Sequence, residues 1–489
     1  MKDVHTLGNG AGDAPGSASP GRGPERCLVS PSPELRDRLK QEFVSLRGSS
    51  TGLMSTMLRV QPYRPVGMND GLIYPGDSFP LGTSAMTVSR AAADRAPLRG
   101  TTRVVVVLVE FSDRQFAQSN QHYDDLFFST GVLPNGSVKE YYAEATHGLV
   151  DIVGDVVGPY TLPHTMAEYA HGASGTGPAE PNARTMARDA AQAANPDVDF
   201  APYDNDGDGY VDAFIVLHAG PGAETTGNTD HIWSHKWVLS GGAYDADGTQ
   251  IYAYLTVPED SKIGVCCHEL GHLLFGFPDL YDTDYSSEGI GNWCLMSGGS
   301  WLGGGEIPAH PSAWCKVQQG WAAVEEVLTK DALAIEDVKS SHKVFRLWKN
   351  GSAGQEYYLV ENRQKILYDR DLPGEGLLVW HIDDAIAGNT NEAHPKVALV
   401  QADGRRDLEQ GNNRGDAGDP YPGTADNTAF DGRSDPAATS YGGMDTCVSV
   451  ESISASAAVM TADVTTRCTS DPTSWWDRLL AWLRGLFGG

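Results

Sequence analysis

The sequence lacks a long apolar run. Its longest, Val104 to Val109, has strand length, far short of the roughly 18 uncharged apolar residues of a membrane span, so no crossing helix is predicted. Basic residues are also scarce. Against 64 Asp and Glu stand 36 Lys and Arg, a formal net charge of -28 that repels nucleic acid phosphates and anionic lipid, so nucleic acid is excluded as a partner. The first fifty residues contain no apolar stretch of the kind a secretory signal needs, so export cannot be read from them. No internal repeat is evident.

Cysteines are few but grouped. Of the seven, Cys447 and Cys468 flank a final strand pair and suit a disulfide. Cys266, Cys267, Cys294 and Cys315 surround one motif-rich region, where they form two more bridges or stay reduced and buried. Cys27 is left over.

At 489 residues the chain holds two or three domains. Residues 1–99 read as a disordered lead and pro-segment-like region: Gly/Ser/Pro-rich to about 26, then a helix opened by Ser32-Pro33-Glu34 with Leu35, Leu39, Phe43 and Leu46 on one side, then an extended stretch lying over another domain. Residues 100–325 form the predicted catalytic domain. Its elements are a buried strand over Val104–Val109, a helix near Ser137 to Thr146, paired strands near Val150 to Thr161, a helix near Ala183 to Ala194, a strand Ala213 to His218 and a helix starting at Ile263. Residues 340–468 read as short strands separated by polar turns, a β-sandwich-like domain. Over 471–489, Trp475, Leu479, Trp482, Leu483 and Leu486 share one side of an amphipathic helix, suited to docking on protein or on a membrane surface.

The chemistry concentrates in His268-Glu269-Leu270-Gly271-His272. Two histidines four apart on a helix stand one turn above each other and can reach one zinc ion, while Glu269 beside them can take a proton from a zinc-bound water as general base. The apolar neighbours Ile263, Val265, Leu270, Leu273, Leu274 and Phe275 predict a buried helix, where unpaired histidines and a glutamate are costly without a metal. Gly276 suits a left-handed cap that turns the chain back, making Asp279 the leading third ligand, with Asp282, Asp284 and Glu288 as alternatives. Met296, in Leu295-Met296-Ser297-Gly298-Gly299, resembles the Met-turn beneath metzincin zinc sites.

A second candidate is the acidic stretch Asp204, Asp206, Asp208, Tyr210 and Asp212, with Gly209 at the sixth position. It matches the start of an EF-hand-type calcium loop, although its twelfth position is Ile215. Cys27, in the lead, is a candidate latency ligand for zinc or an incidental thiol. His218, His231 and His235 lie among aromatics and strands and read as packed core histidines.

Taken with Val138-Lys139-Glu140-Tyr141-Tyr142, the acidic loop, His218-Ala219-Gly220-Pro221-Gly222 and Pro278-Asp279-Leu280-Tyr281-Asp282, these motifs resemble the immune inhibitor A family of secreted bacterial metallopeptidases over most of residues 100 to 465. The resemblance implies a zincin or metzincin-like α+β catalytic domain, protein substrates, an extracellular location and synthesis as a latent precursor. One departure is that Gly276 and Asp279 each lie one residue further from His272 than in the metzincin pattern, Phe275 acting as an insertion. The expected activity is zinc-dependent endopeptidase, with calcium as a second ion in the acidic loop; the rival reading is an adhesion protein that uses its β-sandwich, with the zincin domain as scaffold.

Overall fold

The computed structural model describes residues 28–46, 68–69, 72–84, 87–88, 91 and 95–468. The helix expected over 471–489 and Cys27 lie outside these. Among the described residues no helix is long and apolar enough to cross a membrane.

The α-helices of eight residues or more in this set are α1 (Pro33–Leu46), α2 (Asn120–Phe128), α3 (Val138–Ala145), α4 (Ala183–Ala194) and α5 (Ile263–Phe275). The first sheet is built on β1 (Gly100–Glu110), whose β-branched run is buried on both faces, as suits a parallel interior strand. It pairs in parallel with β2 (Val150–Thr161) and β3 (Phe214–His218). Strand β4 (His235–Val238) forms one edge, and β5 (Tyr244–Ala246) and β6 (Thr249–Ile251) make a separate hairpin. Strand β7 (Ala253–Pro258) lies between β3 and β4, parallel to the first and antiparallel to the second.

Where the sequence predicts paired strands over Val150 to Thr161, the structure has one. Gly154 does not turn the chain, because β2 stays in register with β1 and a Cβ at Gly154 would lie 1.9 Å from the Val104 carbonyl. The close approach, not a bend, requires glycine there.

Helix α3 starts at a capping box in which Ser137 and Glu140 satisfy each other's backbone donors. Asn182 caps α4, whose buried face is mostly alanine, letting the helix lie close on its neighbours. Helix α5 is buried on every side. Its Gly264 faces the Ser300 carbonyl, 2.0 Å from where a Cβ would stand.

Beyond Trp321 come β8 (Ala323–Glu326), β9 (Thr329–Glu336), β10 (Lys343–Leu347), β11 (Glu356–Arg363), β12 (Gly376–Asp383), β13 (Val397–Val400), β14 (Ser449–Glu451) and β15 (Val459–Thr465). They form a five-stranded sheet in the order β13-β12-β11-β10-β8 and a three-stranded sheet β14-β15-β9. The five-stranded sheet buries both faces. Phe345, Tyr358, Val360 and Val379 join Ile335, Met460 and Val464 of the smaller sheet, whereas the alternate residues Val344, Leu359, Leu378 and Trp380 join the core that contains α5. That period-two division explains the unbroken apolar runs of β11 and β12.

Cys447 and Cys468 are disulfide-bonded. Cys266, Cys267, Cys294 and Cys315 are free and buried, so the two further bridges that the grouping allowed are not formed. Cys266 and Cys267 are helix neighbours pointing about 100° apart, which sends them into different parts of the core. The Cys294 sulfur instead accepts the backbone N–H groups of Met296 and Ser312 at 3.3 and 3.2 Å.

A buried ion network joins the two parts of the chain. Arg363 clasps Asp369 through Nε at 2.7 Å and again through Nη2, Lys339 reaches the same carboxylate at 3.1 Å, and the His310 backbone N–H donates to it at 2.9 Å. These guanidinium and ammonium charges hold the Asp369 carboxyl well below its ordinary range, although burial pulls the other way. Asp369→Ala removes the carboxylate that Arg363 clasps and leaves Glu361 at 3.4 Å as its remaining counter-charge, and is expected to cost about 3 kcal/mol in denaturant unfolding, the low end for breaking a buried pair.

Candidate metal centre

Helix α5 places His268 and His272 one turn apart, both fully buried. Each ring is fixed from behind: His268 Nδ1 meets the Leu295 carbonyl at 2.9 Å and His272 Nδ1 the Phe277 carbonyl at 2.6 Å. With Nδ1 donating, each ring in its neutral form presents an Nε2 lone pair.

Gly276 ends the helix in the left-handed region at φ 66° and ψ 21°. Its N–H reaches His272 and that of Phe277 reaches Gly271, each bond closing one residue further back than in a Schellman cap. The wider turn absorbs Phe275, whose ring packs at 5.2 Å from Tyr142 and 4.8 Å from Trp321. The chain then returns Asp279 to the histidines. Asp279 Oδ1 lies 3.1 Å from His268 Nε2 and 3.2 Å from His272 Nε2, and the two Nε2 atoms are 3.1 Å apart.

Of the alternatives, none joins this triangle. Asp282 accepts backbone N–H groups of Asp284 and Ser287 at 3.1 and 2.8 Å and groups with Asp284 and Glu392 instead. Glu288 pairs with Arg36 at 2.9 Å and Lys40 at 2.6 Å on α1.

Glu269 is fully buried beside the triangle, and neither of its carboxylate oxygens has a hydrogen-bond partner among the described residues. Burial pushes its pKa up to about 8, with His268 opposing and Asp279 adding. Burial also works against charge on His268, but the hydrogen bond and charge of Asp279 outweigh it and raise that ring to about 9. His272 goes down, burial exceeding the pull of Asp279. Asp279 itself is held down to about 2 by the two histidines against the effect of burial. One proton on His268 therefore occupies a place that a cation would otherwise take.

Met296 packs against α5 between the two histidines at Gly271. A Cβ at Gly271 would stand 2.6 Å from its sulfur, and the Met296 carbonyl accepts the Leu280 N–H at 2.7 Å, tying it to the segment that carries Asp279.

The acidic loop is only partly gathered. Asp204, Asp206 and Asp212 bring oxygens within 4.8 Å of one another. Asp208 turns aside to a hydrogen bond with Tyr74 and accepts the Tyr210 N–H at 2.8 Å; Ile215, at the twelfth position, is buried in β3. Into this loop reaches Arg95, absent from the motif reading, 2.8 Å from Asp212 and 3.6 Å from Asp206, with its other nitrogen on the Leu274 carbonyl of α5.

The sequence also gave no path for the lead. Residues 28–32 lie buried along the segment before edge strand β4: Val29 N–H donates to the Ser234 carbonyl at 3.3 Å, the Trp233 indole to the Val29 carbonyl at 2.8 Å and the Trp301 indole to the Ser30 carbonyl at 2.8 Å. Leu28 N–H meets the Tyr281 hydroxyl at 3.2 Å. The only hint was an apolar Leu28-Val29 pair within a polar stretch. His218 and His235 are buried and hydrogen-bonded, His235 between the Trp233 carbonyl at 2.6 Å and the Tyr254 hydroxyl at 2.9 Å, and His231 meets Thr226 at 2.9 Å.

Residues 95–324 match the family model described as immune inhibitor A peptidase M6, catalytic domain. Among similar proteins, immune inhibitor A of Bacillus thuringiensis subsp. alesti is 32% identical over 288 residues, covering 46% of this chain and 41% of that protein. The pre-pro-metalloprotease PrtV of Vibrio cholerae serotype O1 is 29% identical over 306 residues, 51% of this chain and 33% of that protein. The chain thus spans less than half the length of these curated relatives. The family resemblance of the motifs holds, and the segment that matches is the one containing the histidine triangle.

Two outcomes follow from this geometry. Gly271→Ala drives a methyl into the Met296 sulfur and is expected to cost about 1–3 kcal/mol of stability and to weaken metal retention, read by thermal unfolding and by competition with a chelator. Because the hydrogen bond and charge of Asp279 raise His268 to about 9, uptake of a divalent metal there should release protons, seen as a dependence of binding heat on the ionisation enthalpy of the buffer.

Proposed function

We propose that this chain, whose residues 95–324 match a peptidase M6 catalytic domain, is a zinc-dependent endopeptidase of protein substrates, made as a latent precursor and secreted. The observation that carries the reading is Glu269: a glutamate with both oxygens unpartnered, buried beside converging His268, His272 and Asp279. The match to the catalytic domain and the printed metalloprotease name of the Vibrio relative support it. The adhesion alternative gives such a glutamate no work.

The donor set fits zinc. Ligand atoms around a tetrahedral zinc with bonds of about 2.0–2.1 Å stand about 3.3 Å apart, close to the separations of the Nε2 and Oδ1 atoms here. Bound by those three atoms, zinc supplies a Lewis acid that acidifies the attacking water and polarises the scissile carbonyl. Glu269 takes the proton of that water and passes it to the leaving amine, with no covalent intermediate. The Leu295 and Phe277 carbonyls hold the histidine rings in orientation, and Met296 keeps the underside apolar.

Latency is assigned to the lead. Residues 28–32 lie buried against residues 233–234, where an extended substrate is proposed to run, and Cys27, next in the chain before Leu28, is proposed to cap the metal with its thiolate. Calcium is proposed for the acidic loop through Asp204, Asp206 and Asp212, where it has to replace Arg95. The proposed domains are the lead over 1–99, a zincin-like catalytic domain over 100–325 and a β-sandwich-like domain over 340–468.

The test compares the chain, trimmed of its lead, with its Glu269→Gln variant on an unfolded protein substrate, with and without a zinc chelator. Glu269→Gln is expected to lower cleavage by about 10²–10⁴-fold and the chelator to abolish it. Equal cleavage by the two proteins would refute the mechanism.

A further inference from the structure

A second group of carboxylates lies far along the chain from the histidines. Asp403, Asp416 and Asp419 bring one oxygen each within 4.8 Å of the others. They converge over bare backbone: a Cβ at Gly418 would be 2.6 Å from Asp403 Oδ2 and 3.0 Å from Asp416 Oδ1, so only glycine leaves room for both.

Asp419 is the telling member. Its side chain is 1% exposed, Oδ2 accepts the Trp293 indole N–H at 2.9 Å and the Asp416 N–H at 3.1 Å, and Oδ1 has no partner among the described residues. The ion pair that touches the group, Arg405 Nε to Asp403 Oδ2 at 3.5 Å, comes from a side chain that is 69% exposed and largely screened by water.

We infer that Asp403, Asp416 and Asp419 form a binding site for a hard divalent cation, calcium by its chemistry. The ligands are all oxygens, and a Ca–O distance of about 2.4 Å allows oxygens up to about 4.8 Å apart around one ion. Asp416 accepts the Gly418 N–H and the Asn413 amide at 2.7 Å each and Asp403 the Arg405 N–H at 3.0 Å, so the buried, unpartnered Oδ1 of Asp419 is what sets the group apart from Asp282, whose oxygens accept backbone and hydroxyl donors, and from the 204–212 loop, which receives Arg95. The cation fastens the loop carrying Asp416 and Asp419 to Trp293, which begins the run to Leu295 and Met296. The same loop accepts the Asn292 N–H through the Arg414 carbonyl at 2.8 Å, and Gly415 lies against the Trp293 ring. Its occupant therefore steadies the run to Met296 without touching the metal centre.

The full chain, freed of divalent ions by a chelator, is titrated with terbium(III), an oxygen-seeking stand-in for calcium. Excitation of tryptophan should give terbium emission through Trp293, and added calcium should displace it. Emission should fall to background in Asp416→Asn and in Asp403→Asn, each checked by circular dichroism for an intact fold, and persist in Asp206→Asn. In Trp293→Phe the emission should vanish while calcium still raises the unfolding temperature. Undiminished emission in folded Asp416→Asn or Asp403→Asn, loss of emission in Asp206→Asn alone, or no calcium-displaceable emission overturns the site.

Discussion

Everything around α5 follows from holding four ionisable side chains in an apolar interior. His268, Glu269, His272 and Asp279 are removed from water, so each lone pair must find a partner or a counter-charge. The surroundings supply partners only on the outer side, through the Leu295 and Phe277 carbonyls, and leave the inner atoms facing one another. A centre of this kind binds cations strongly because its alternatives are poor. Its stiffness has the same origin: Gly264 and Gly271 let the Ser300 backbone and the Met296 sulfur approach so closely that the helix has no room to shift.

The second part of the chain is no appendage to this arrangement. Its five-stranded sheet covers the catalytic core with one face and the smaller sheet with the other, and the Arg363–Asp369–Lys339 network runs through the contact. Arg363 also reaches the Trp293 carbonyl at 3.4 Å. The β-rich half thus touches directly the segment that leads from Trp293 to Leu295 and Met296.

Much of the centre was legible because a helix converts spacing into direction. His268, Glu269 and His272 needed only the 3.6-residue period, and the continuous Val104–Val109 run announced a buried strand. Asp279 was harder: its distance from His272 depends on how the helix ends, and the wider closure at Gly276 that accommodates Phe275 is a property of hydrogen-bond geometry that composition does not carry. Long-range pairing hid the rest. Val150 to Thr161 read as paired strands until β1 claimed β2, with a register shift between Val107 and Val109, the clustered cysteines allowed bridges that the structure does not form, and Arg95 entered the acidic loop from a stretch with no periodicity of its own.

The lead's place along residues 233–234 has a consequence in reaction order. As part of the same chain it meets residues 233–234 at a local concentration set by tether length, however dilute the protein. Its occupancy is first order and independent of dilution while the backbone is whole. One cut in the connecting segment turns it into an ordinary bimolecular ligand, held by a few backbone hydrogen bonds and the Glu288 ion pairs with Arg36 and Lys40. Such a ligand leaves when the solution is diluted, so dilution by itself favours the form in which residues 233–234 are uncovered.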